Sequence, residues 1–306
     1  MLDYLLGAYS IIVVSDNNGG LVIRAAGILS EVDMIKIETF RTNGYNGYSM
    51  DYFSFGNGKK TLVVIPGLSI KSVMDNAEAI AEAYKLMQED FTIYVFDRRR
   101  ELPRVYSISD MAKDTFRVMK ELGLKDIYLF GVSQGGMIAM SIAIEHPGFV
   151  KKLVLGSTSS HITDKQLTAL NKWIDLAKKR DAEALCLSFG ELIYPPEIFA
   201  QYRDYLIDMS KTVTDEDIDR FIILASGTKG FHLTEILKVI RCPILAIGVY
   251  EDPVLDSDAT MEMAEQMDWN GKNSNFKLYM YTGFGHAAYD TAPDYCKRVY
   301  DFLMND

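Results

Sequence analysis

The chain has 306 residues, of which 48% are hydrophobic and 24% are charged, and it carries a formal net charge of −10 at pH 7 with a pI near 5.0. This length and composition fit a globular protein with one large domain plus an insertion, or with two modest domains, and they exclude the disordered and fibrous classes. The acidic surplus argues against a nucleic-acid-binding protein, because phosphate groups would repel it before any contact formed.

Residues 1–36 are predicted to form an N-terminal extension ahead of the main fold. Two apolar runs, Ile11–Val14 and Leu21–Ile23, flank a turn-rich segment at residues 16–20. This pattern fits a hairpin, and a docked helix fits the same residues nearly as well. The first apolar stretch lacks a basic leading region and is interrupted well short of a membrane span, so we expect neither a signal peptide nor an anchor.

Strand and helix patterns alternate from residue 37 to residue 158. A continuous apolar and β-branched run at residues 61–65 is typical of a strand that is buried on both faces. The other strands of this part are predicted at residues 37–40, 48–55, 91–96, 127–130 and 152–156, and the helices at residues 77–87, 107–122 and 137–144. This order predicts an α/β fold with a mostly parallel sheet and helices on both faces.

The alternation stops between residues 159 and 240. Helical patterns follow one another there without an intervening strand, at residues 165–179, 182–192, 196–209 and 215–225. An all-helical block inside an alternating sheet is typical of a cap that lies over the edge of the sheet.

The sheet pattern resumes after residue 240. Strands are predicted at residues 243–248 and 276–281, and a helix at residues 294–304 closes the chain. The core of the fold is therefore expected to comprise residues 37–158 and 241–306, with the cap inserted between them.

A possible nucleophile lies between the predicted strand at residues 127–130 and the helix that follows. The sequence Gly-Val-Ser-Gln-Gly-Gly at residues 131–136 contains the G-x-S-x-G pattern with Ser133 at its centre. A strand-to-helix turn forces the central residue into a sparsely populated backbone conformation, and it needs glycines because a Cβ beside the serine would clash. The pattern favours an exposed serine hydroxyl, whereas the alternative is an ordinary turn.

A serine hydroxyl needs an adjacent base in order to act as a nucleophile at neutral pH. His286 is the candidate base, because it lies in a Gly-Phe-Gly-His loop just after the last predicted strand. His146 is expected to end a helix, and His232 is expected to pack or lie on the surface within the cap. His161 follows a strand end, so it is a candidate to border the site, and a contact with substrate is the alternative to a structural role there.

The base in turn needs an acid that holds it in one tautomer. Asp252 is the candidate acid, because it follows the strand that precedes the strand of His286. Glu251 and Asp256 are neighbours that remain open as alternatives, as does a plain turn role for this cluster.

With a serine, an aspartate and a histidine in this order, each just after a strand, the chain resembles the α/β-hydrolase superfamily over residues 37–306. The resemblance implies a mostly parallel central sheet with helices on both faces and a helical cap inserted between the sixth and seventh strands. It also implies an oxyanion hole formed by the backbone N–H groups of Gln134 and Leu68, with Gly67 beside the substrate. Pro66 stands where many members have a histidine that braces this loop.

Asp97-Arg98-Arg99-Arg100 resembles the family's Asp-x-Arg-Gly loop after the fourth strand, but it lacks the glycine. We expect an ion-pair network around the serine turn. The alternative is that Arg99 or Arg100 binds a substrate carboxylate, since a guanidinium fork matches that geometry.

These residues predict a serine hydrolase that cleaves a carboxylic ester of a small to medium, largely apolar substrate through an acyl-enzyme. Hydrolysis of a thioester, lactone, carbon–carbon or peptide bond and perhydrolysis are alternatives on the same fold. A haloalkane dehalogenase is disfavoured, because its nucleophile would be an aspartate where this chain has Ser133. From another class, a non-catalytic ligand-binding protein would keep the fold with an idle triad.

No metal, organic cofactor, nucleic acid or membrane span is expected, and the expected partner is a small-molecule acyl substrate. The three cysteines, Cys186, Cys242 and Cys296, are too few and too widely spaced for a disulfide framework or a zinc finger, which favours a reducing cytoplasm. The oligomeric state stays open.

Overall fold

The computed structural model of the protein describes residues 11–15, 21–25, 35–44, 47–255, 257–268 and 273–305. The chain divides into two units, residues 1–34 and residues 35–306. In the first unit, strands β1 (Ile11–Ser15) and β2 (Leu21–Ala25) pair in antiparallel fashion. These strands coincide with the two apolar runs of the sequence.

The second unit is built on an eight-stranded sheet. Its strands are β3 (Lys36–Arg41), β4 (Ser49–Phe55), β5 (Lys60–Ile65), β6 (Phe91–Arg99), β7 (Ile127–Val132), β8 (Val150–Gly156), β9 (Ile244–Val249) and β10 (Phe276–Tyr281). Across the sheet they lie in the order β10-β9-β8-β7-β5-β6-β4-β3. The two pairs that involve β4 are antiparallel and the other five pairs are parallel. The predicted α/β class with a mostly parallel sheet is confirmed.

Ten α-helices occur in the described part of the chain. They are α1 (Ala77–Ala83), α2 (Ile108–Glu121), α3 (Gln134–Glu145), α4 (Asp164–Lys178), α5 (Ala182–Ile193), α6 (Pro196–Ser210), α7 (Asp215–Thr228), α8 (Ser257–Asp268), α9 (Ala288–Thr291) and α10 (Tyr295–Met304). Within the described ranges, none of them combines the length and the apolarity that crossing a bilayer requires.

Helices pack on both faces of the sheet because successive strand residues point to opposite sides. Val63 packs with Ile138 of α3 in an apolar cluster that also contains residues of α2 and α8, here called cluster 1. Leu62 packs with Val299 of α10 and with residues of α1 in cluster 2 on the other face. Helix α3 packs on the face of the sheet that carries cluster 1, and all of its residues from Gln134 to Ala143 are buried.

The local signals around α2 and α3 act as the sequence predicted. Ser107 caps α2 by accepting the N–H of Asp110, and the Asp110 carboxylate accepts the N–H of Ser107 in return. His146 caps the end of α3, and its ring stacks on Phe116 with the centroids 3.4 Å apart. A structural role for His146 therefore agrees with its contacts.

Several elements differ from the prediction, among them α1, β6 and α8. The helix expected at residues 77–87 ends at Ala83 and is followed by a short 3₁₀ turn. Strand β6 continues to Arg99, which pairs with Met50 beyond a bulge in β4, so residues 97–99 are strand and not loop. Helix α8 was not predicted, because its buried stripe consists of the small or flexible residues Ala259, Met263 and Met267, which give a weak apolar pattern.

Helices α4 to α7 form a continuous helical segment, residues 164–228, between β8 and β9. These strands are the sixth and seventh strands of the eight-stranded sheet in chain order, which is the position predicted for a cap. The segment has its own apolar cluster, cluster 3, which includes Trp173, Leu185 and Phe221. Ile70 and Val254 are the two buried members of cluster 3 that come from outside the segment.

The chain enters and leaves the helical segment through two short stretches, residues 160–162 and 231–233, here called the stem. The N–H of Ile162 donates to the carbonyl of Phe231 at 3.1 Å, and the N–H of Leu233 donates to the carbonyl of Ser160 at 2.7 Å. The two ends of the segment are thus held side by side.

Candidate active site

The turn between β7 and α3 holds Ser133 in a strained conformation. Its φ of 51° and ψ of −121° are unusual for a residue with a side chain. The N–H of Ser133 donates to the carbonyl of Gly156 at 2.8 Å, which fixes the turn to the neighbouring strand β8. The serine side chain is therefore presented at the carboxyl edge of the parallel strands.

The glycines around Ser133 are required by close packing. A Cβ on Gly131 would lie 2.4 Å from the carbonyl oxygen of Gly135, and a Cβ on Gly135 would lie 1.9 Å from that of Ile65. A Cβ on Gly136 would lie 2.6 Å from the side chain of Thr158. The strand, the helix and the loop after β5 approach so closely that no side chain fits between them.

Three side chains from separate strand ends meet at this edge. The Nε2 atom of His286 lies 3.0 Å from the Oγ atom of Ser133, and its Nδ1 atom lies 2.8 Å from Oδ2 of Asp252. His286 and Asp252 are each only 3% exposed, so their hydrogen bond is shielded from water. The candidate nucleophile, base and acid of the sequence are thus brought into one hydrogen-bonded chain.

The loop after β9 fixes the orientation of Asp252. Its Oδ1 atom accepts the N–H groups of Val254 and Leu255, both at 2.8 Å. The Nζ atom of Lys165, on α4, donates to the backbone carbonyl of Asp252 at 2.8 Å. This contact was not predicted from the sequence, because the lysine lies 87 positions away from Asp252 along the chain.

Of the two alternatives to Asp252, Glu251 is exposed and its carboxylate accepts the N–H of Gly283 at 3.0 Å. Asp256 lies outside the described residues. The geometry thus brings Asp252, and not Glu251, to the histidine.

The loop after β5 borders Ser133. A Cβ on Gly67 would lie 3.2 Å from the Cβ of Ser133, so the glycine lets the loop backbone approach the serine. Gly67, Leu68 and Gln134 all line the same cavity as Ser133 and His286. The residues whose N–H groups the family resemblance assigned to an oxyanion hole are therefore located beside the serine.

This open cavity has an empty volume of about 520 Å³. Besides the residues already named, it is lined by Met137, Gln166, Leu170, Trp173, Phe189, Ile193, Thr228, Val254 and Tyr289. The polar lining residues Gln166 and Thr228 hydrogen-bond within the protein, to Ser159 and to the carbonyl of Leu224. No lysine, arginine, aspartate or glutamate is among the lining residues in the part of the chain that the structure describes.

The arginines at the end of β6 point in different directions. Arg99 pairs with Asp114 at 3.1 Å and stacks over Tyr48, and Arg100 pairs with Asp51 at 2.7 Å. The contacts of both arginines fit the ion-pair interpretation of this run. Neither Arg99 nor Arg100 lines the cavity, which argues against a contact of either side chain with a substrate carboxylate.

Arg98 was not singled out by the sequence, yet it is buried beside the serine turn. Its Nη2 atom donates to the carbonyl of Pro66 at 2.8 Å and to Oε1 of Gln134 at 3.1 Å. Burial lowers the pKa of Arg98 to about 10, with the neighbouring carboxylate of Asp97 acting in the opposite direction. The guanidinium is therefore still protonated at neutral pH.

His161 lies in the stem and not in the cavity. It faces His232 across the bridge, with the ring centroids 5.7 Å apart, and its Nδ1 atom lies 3.4 Å from the hydroxyl of Thr234. Because His161 is not among the residues that line the cavity, its position does not support a contact with substrate. Its neighbour Ser160 carries one of the two backbone hydrogen bonds that hold the stem together.

Among the described residues, no group of three or more histidine, cysteine, aspartate or glutamate side chains is arranged to hold a metal ion.

A family model described as alpha/beta hydrolase fold matches residues 60–293 of the chain. Among curated proteins, the chain is similar to serine hydrolase BPHL of Mus musculus, with 27% identity over 227 residues that cover 69% of each chain. It is also similar to the putative carbamate hydrolase RutD of Caulobacter vibrioides (strain NA1000 / CB15N), with 31% identity over 218 residues that cover 69% of this chain and 80% of that relative. Among solved structures, the alpha/beta hydrolase MGS-M2 from a Medee basin deep-sea metagenome library superposes with a TM-score of 0.76 at 18% identity, over 88% of this chain and 98% of that chain.

Proposed function

Because the chain belongs to the alpha/beta hydrolase fold family, we propose that it is a serine hydrolase that cleaves a carboxylic ester of a small to medium, largely apolar substrate. The observation that carries this proposal is the hydrogen-bonded chain from Ser133 through His286 to Asp252. This arrangement can move a proton from the serine hydroxyl to the imidazole as the hydroxyl attacks a carbonyl carbon.

The first step is the formation of an acyl-enzyme. Ser133 Oγ bonds to the carbonyl carbon while His286 Nε2 takes the hydroxyl proton, and the negative charge passes to the carbonyl oxygen. His286 then gives the proton to the leaving alkoxide, and the alcohol departs. Asp252 accepts a hydrogen bond from Nδ1–H, which keeps Nε2 free to accept the proton and stabilises the imidazolium that forms.

The backbone N–H groups of Leu68 and Gln134 are proposed to hold the oxyanion. Both residues line the cavity beside Ser133, and backbone donors cost no reorganisation when the charge appears. Loss of one such donor costs about 3 kcal/mol of transition-state stabilisation. In the second step His286 removes a proton from water as the water oxygen bonds to the acyl carbon. The bond from that carbon to Ser133 Oγ then breaks, His286 returns the proton to Oγ, and the carboxylic acid leaves.

The lining of the cavity supports a neutral, apolar acyl group. Leu68, Leu170, Trp173, Phe189 and Val254 supply apolar surface around the serine. Gln166 and Thr228 in the same lining already hydrogen-bond within the protein, and no charged lysine, arginine, aspartate or glutamate lines the described cavity, so a charged group entering it would lose water without gaining an ionic partner.

The proposal is tested by labelling with a fluorophosphonate probe. Wild-type protein should be labelled at one site, and Ser133→Ala should abolish labelling because the attacking oxygen is gone. A panel of p-nitrophenyl esters from acetate to decanoate should then show turnover and bound the length of the acyl pocket. Labelling of Ser133→Ala at the wild-type rate would contradict the assignment of the nucleophile, and labelling without turnover of any acyl substrate would favour a non-catalytic binding protein.

A carbamate is the second candidate substrate class, because relatives of this chain are described as putative carbamate hydrolases. Attack on a carbamate carbonyl needs the same serine, base and oxyanion donors. An aryl ester and an aryl carbamate with the same leaving group separate the two classes. A carbamate hydrolase should turn over both compounds. An esterase should turn over the ester, but the carbamate should leave a carbamoyl group on its serine that water removes only slowly.

A further inference from the structure

Arg98 contacts both halves of the proposed oxyanion hole through a single nitrogen atom. Its Nη2 atom donates to the carbonyl of Pro66, two residues before Leu68, and to the side chain of Gln134. Gln134 supplies the other proposed donor through its backbone N–H. One guanidinium nitrogen thus connects the loop after β5 to the first residue of α3.

The loop after β5 needs such a connection because its own residues leave the ψ angle of Pro66 and both torsions of Gly67 free. The ring of Pro66 fixes the φ angle of that residue, and nothing in the ring fixes the orientation of its carbonyl. Gly67 carries no side chain that would restrict the next peptide plane. The hydrogen bond from Arg98 to the Pro66 carbonyl fixes the peptide plane between Pro66 and Gly67, so that only the two torsions of Gly67 separate this fixed plane from the N–H of Leu68.

The residues next to Arg98 are tied to one another and to α7. Its backbone N–H donates to Asp97 Oδ1 at 2.7 Å, and Asp97 Oδ2 accepts the hydroxyl of Ser72 at 2.6 Å. Arg220 of α7 forms an ion pair with the same aspartate. Gln134 Nε2 also reaches α7, through the carbonyl of Leu224 at 2.9 Å. Asp97, Arg98 and Gln134 are buried, whereas Ser72 and Arg220 are only partly buried, so the centre of the network is shielded from water.

We propose that Arg98 is a positioning residue, which sets the spacing between the N–H groups of Leu68 and Gln134 by bridging the Pro66 carbonyl and the Gln134 side chain. This inference rests on the proposed serine hydrolase function, and it deepens that function by naming the residue that sets its oxyanion hole.

The test compares Arg98→Met with Arg99→Met. Methionine keeps an unbranched apolar stem and removes the donors. Arg99 is the adjacent residue on β6, and it makes its own ion pair and ring contacts outside the cavity, so its variant controls for the loss of a partly buried arginine. The first readout is the second-order rate constant of fluorophosphonate labelling, which needs the serine, the base and the oxyanion donors but no knowledge of the substrate.

Arg98→Met should lower this rate constant roughly 10- to 100-fold, because displaced donors stabilise the developing oxyanion poorly. With p-nitrophenyl butyrate, kcat per labelled site should fall by a similar factor while KM changes less than about threefold, since the loss falls on the transition state. Arg98→Lys, which keeps one donor toward the Pro66 carbonyl, should recover part of the rate. Arg99→Met should leave both rates near those of the wild type.

Labelling of Arg98→Met at the wild-type rate, with the wild type itself reactive, would overturn this inference and leave the proposed function intact. An equal loss in Arg99→Met, or a loss that appears only as a smaller fraction of active protein, would also overturn it, because a general structural role would then explain the data. Absence of labelling in the wild type would overturn the proposed function, and the inference with it.

Discussion

The two carboxylate oxygens of Asp252 have different hydrogen-bond partners. Oδ1 accepts two backbone N–H groups of its own loop, and Oδ2 faces His286. Both oxygens must act as acceptors, which an ionised carboxylate does and an amide does not.

This division predicts the behaviour of Asp252→Asn. The amide oxygen should take the place of Oδ1, because the two backbone N–H groups there need an acceptor, so the amide N–H₂ would face His286. The histidine would then carry its proton on Nε2 and could not accept one from Ser133. We expect kcat to fall by about 10⁴ with little change in thermal stability.

Steady-state kinetics and a melting curve of the same preparation measure both effects. Glu251→Gln is the matched control, because Glu251 is the neighbouring acid and is exposed, and its kcat should stay within about threefold of the wild type. A similar loss of kcat in the two variants would mean that the loop, and not the Asp252 carboxylate, sets the activity.

The sequence predicted which three side chains meet, because Ser133, Asp252 and His286 each follow a parallel strand and such strand ends share one edge. It placed Arg98 in a run expected to form ion pairs around the serine turn, but it predicted neither the bonds of Arg98 to Pro66 and Gln134 nor the role of Lys165. Both act on backbone carbonyls of distant segments, and such contacts depend on how the elements pack and leave no local pattern.

The joint between β7 and α3, residues 131–136, is tightly packed against its neighbours. Gly135 lies against the carbonyl of Ile65, at the end of β5. A methyl group there would push the loop after β5 away from α3, and with it the proposed oxyanion donors.

Gly135→Ala should therefore lower the free energy of unfolding by about 3 kcal/mol and lower the rate of fluorophosphonate labelling. Gly123→Ala is the control, because Gly123 lies just after the end of α2 and a Cβ added there would have no atom within 4 Å. Its φ of +77° makes alanine strained, so we expect a loss of about 1 kcal/mol without any change in labelling. Urea unfolding and labelling rates measure the two properties, and equal labelling in both variants would contradict the role given to the joint.

The sequence predicted most elements of the second unit because their apolar patterns have a clear period. Strand β10 and the helices of the segment at residues 164–228 agree with the predicted bounds to within three residues. The extension of β6 was missed because charged residues fill its last positions, where Asp97, Arg98 and Arg99 find partners inside the fold. Tertiary contacts there override the composition of the strand.

At the scale of the whole second unit, each of the three apolar clusters holds or touches one cysteine. Cys242 packs against cluster 1, Cys296 packs against cluster 2, and Cys186 belongs to cluster 3. Burial raises the pKa of each thiol from 9.0 to about 11. The thiolate is the reactive form, so all three cysteines should react slowly with iodoacetamide at pH 7.5 and faster as the pH rises toward 11.

The three thiols can therefore report which cluster opens first in urea. Cluster 3 lies mostly within the helical segment, and its helices should open at a lower urea concentration than the sheet. Cys186 is buried and the other two cysteines are partly exposed, so each thiol is compared with its own alkylation rate without urea. We expect the rate of Cys186 to rise above its native value at a lower urea concentration than the rates of Cys242 and Cys296, as measured by mass spectrometry of peptides after short pulses of reagent. A rise for either of the other two cysteines at a lower urea concentration would contradict a separate opening of the segment.

The stem holds the two ends of the helical segment close together, a property that its sequence does not show. Because Ser160 and Ile162 pair with Leu233 and Phe231, the two ends of residues 164–228 leave the rest of the unit side by side, as the ends of a hairpin do. The 3₁₀ helix at Thr234–Val239, which leads back to the start of β9, lies beyond the stem. Foreign sequences with close termini could accordingly be grafted between residues 162 and 231, so that pockets from other proteins are exchanged while the strands that carry Ser133 and His286 stay connected.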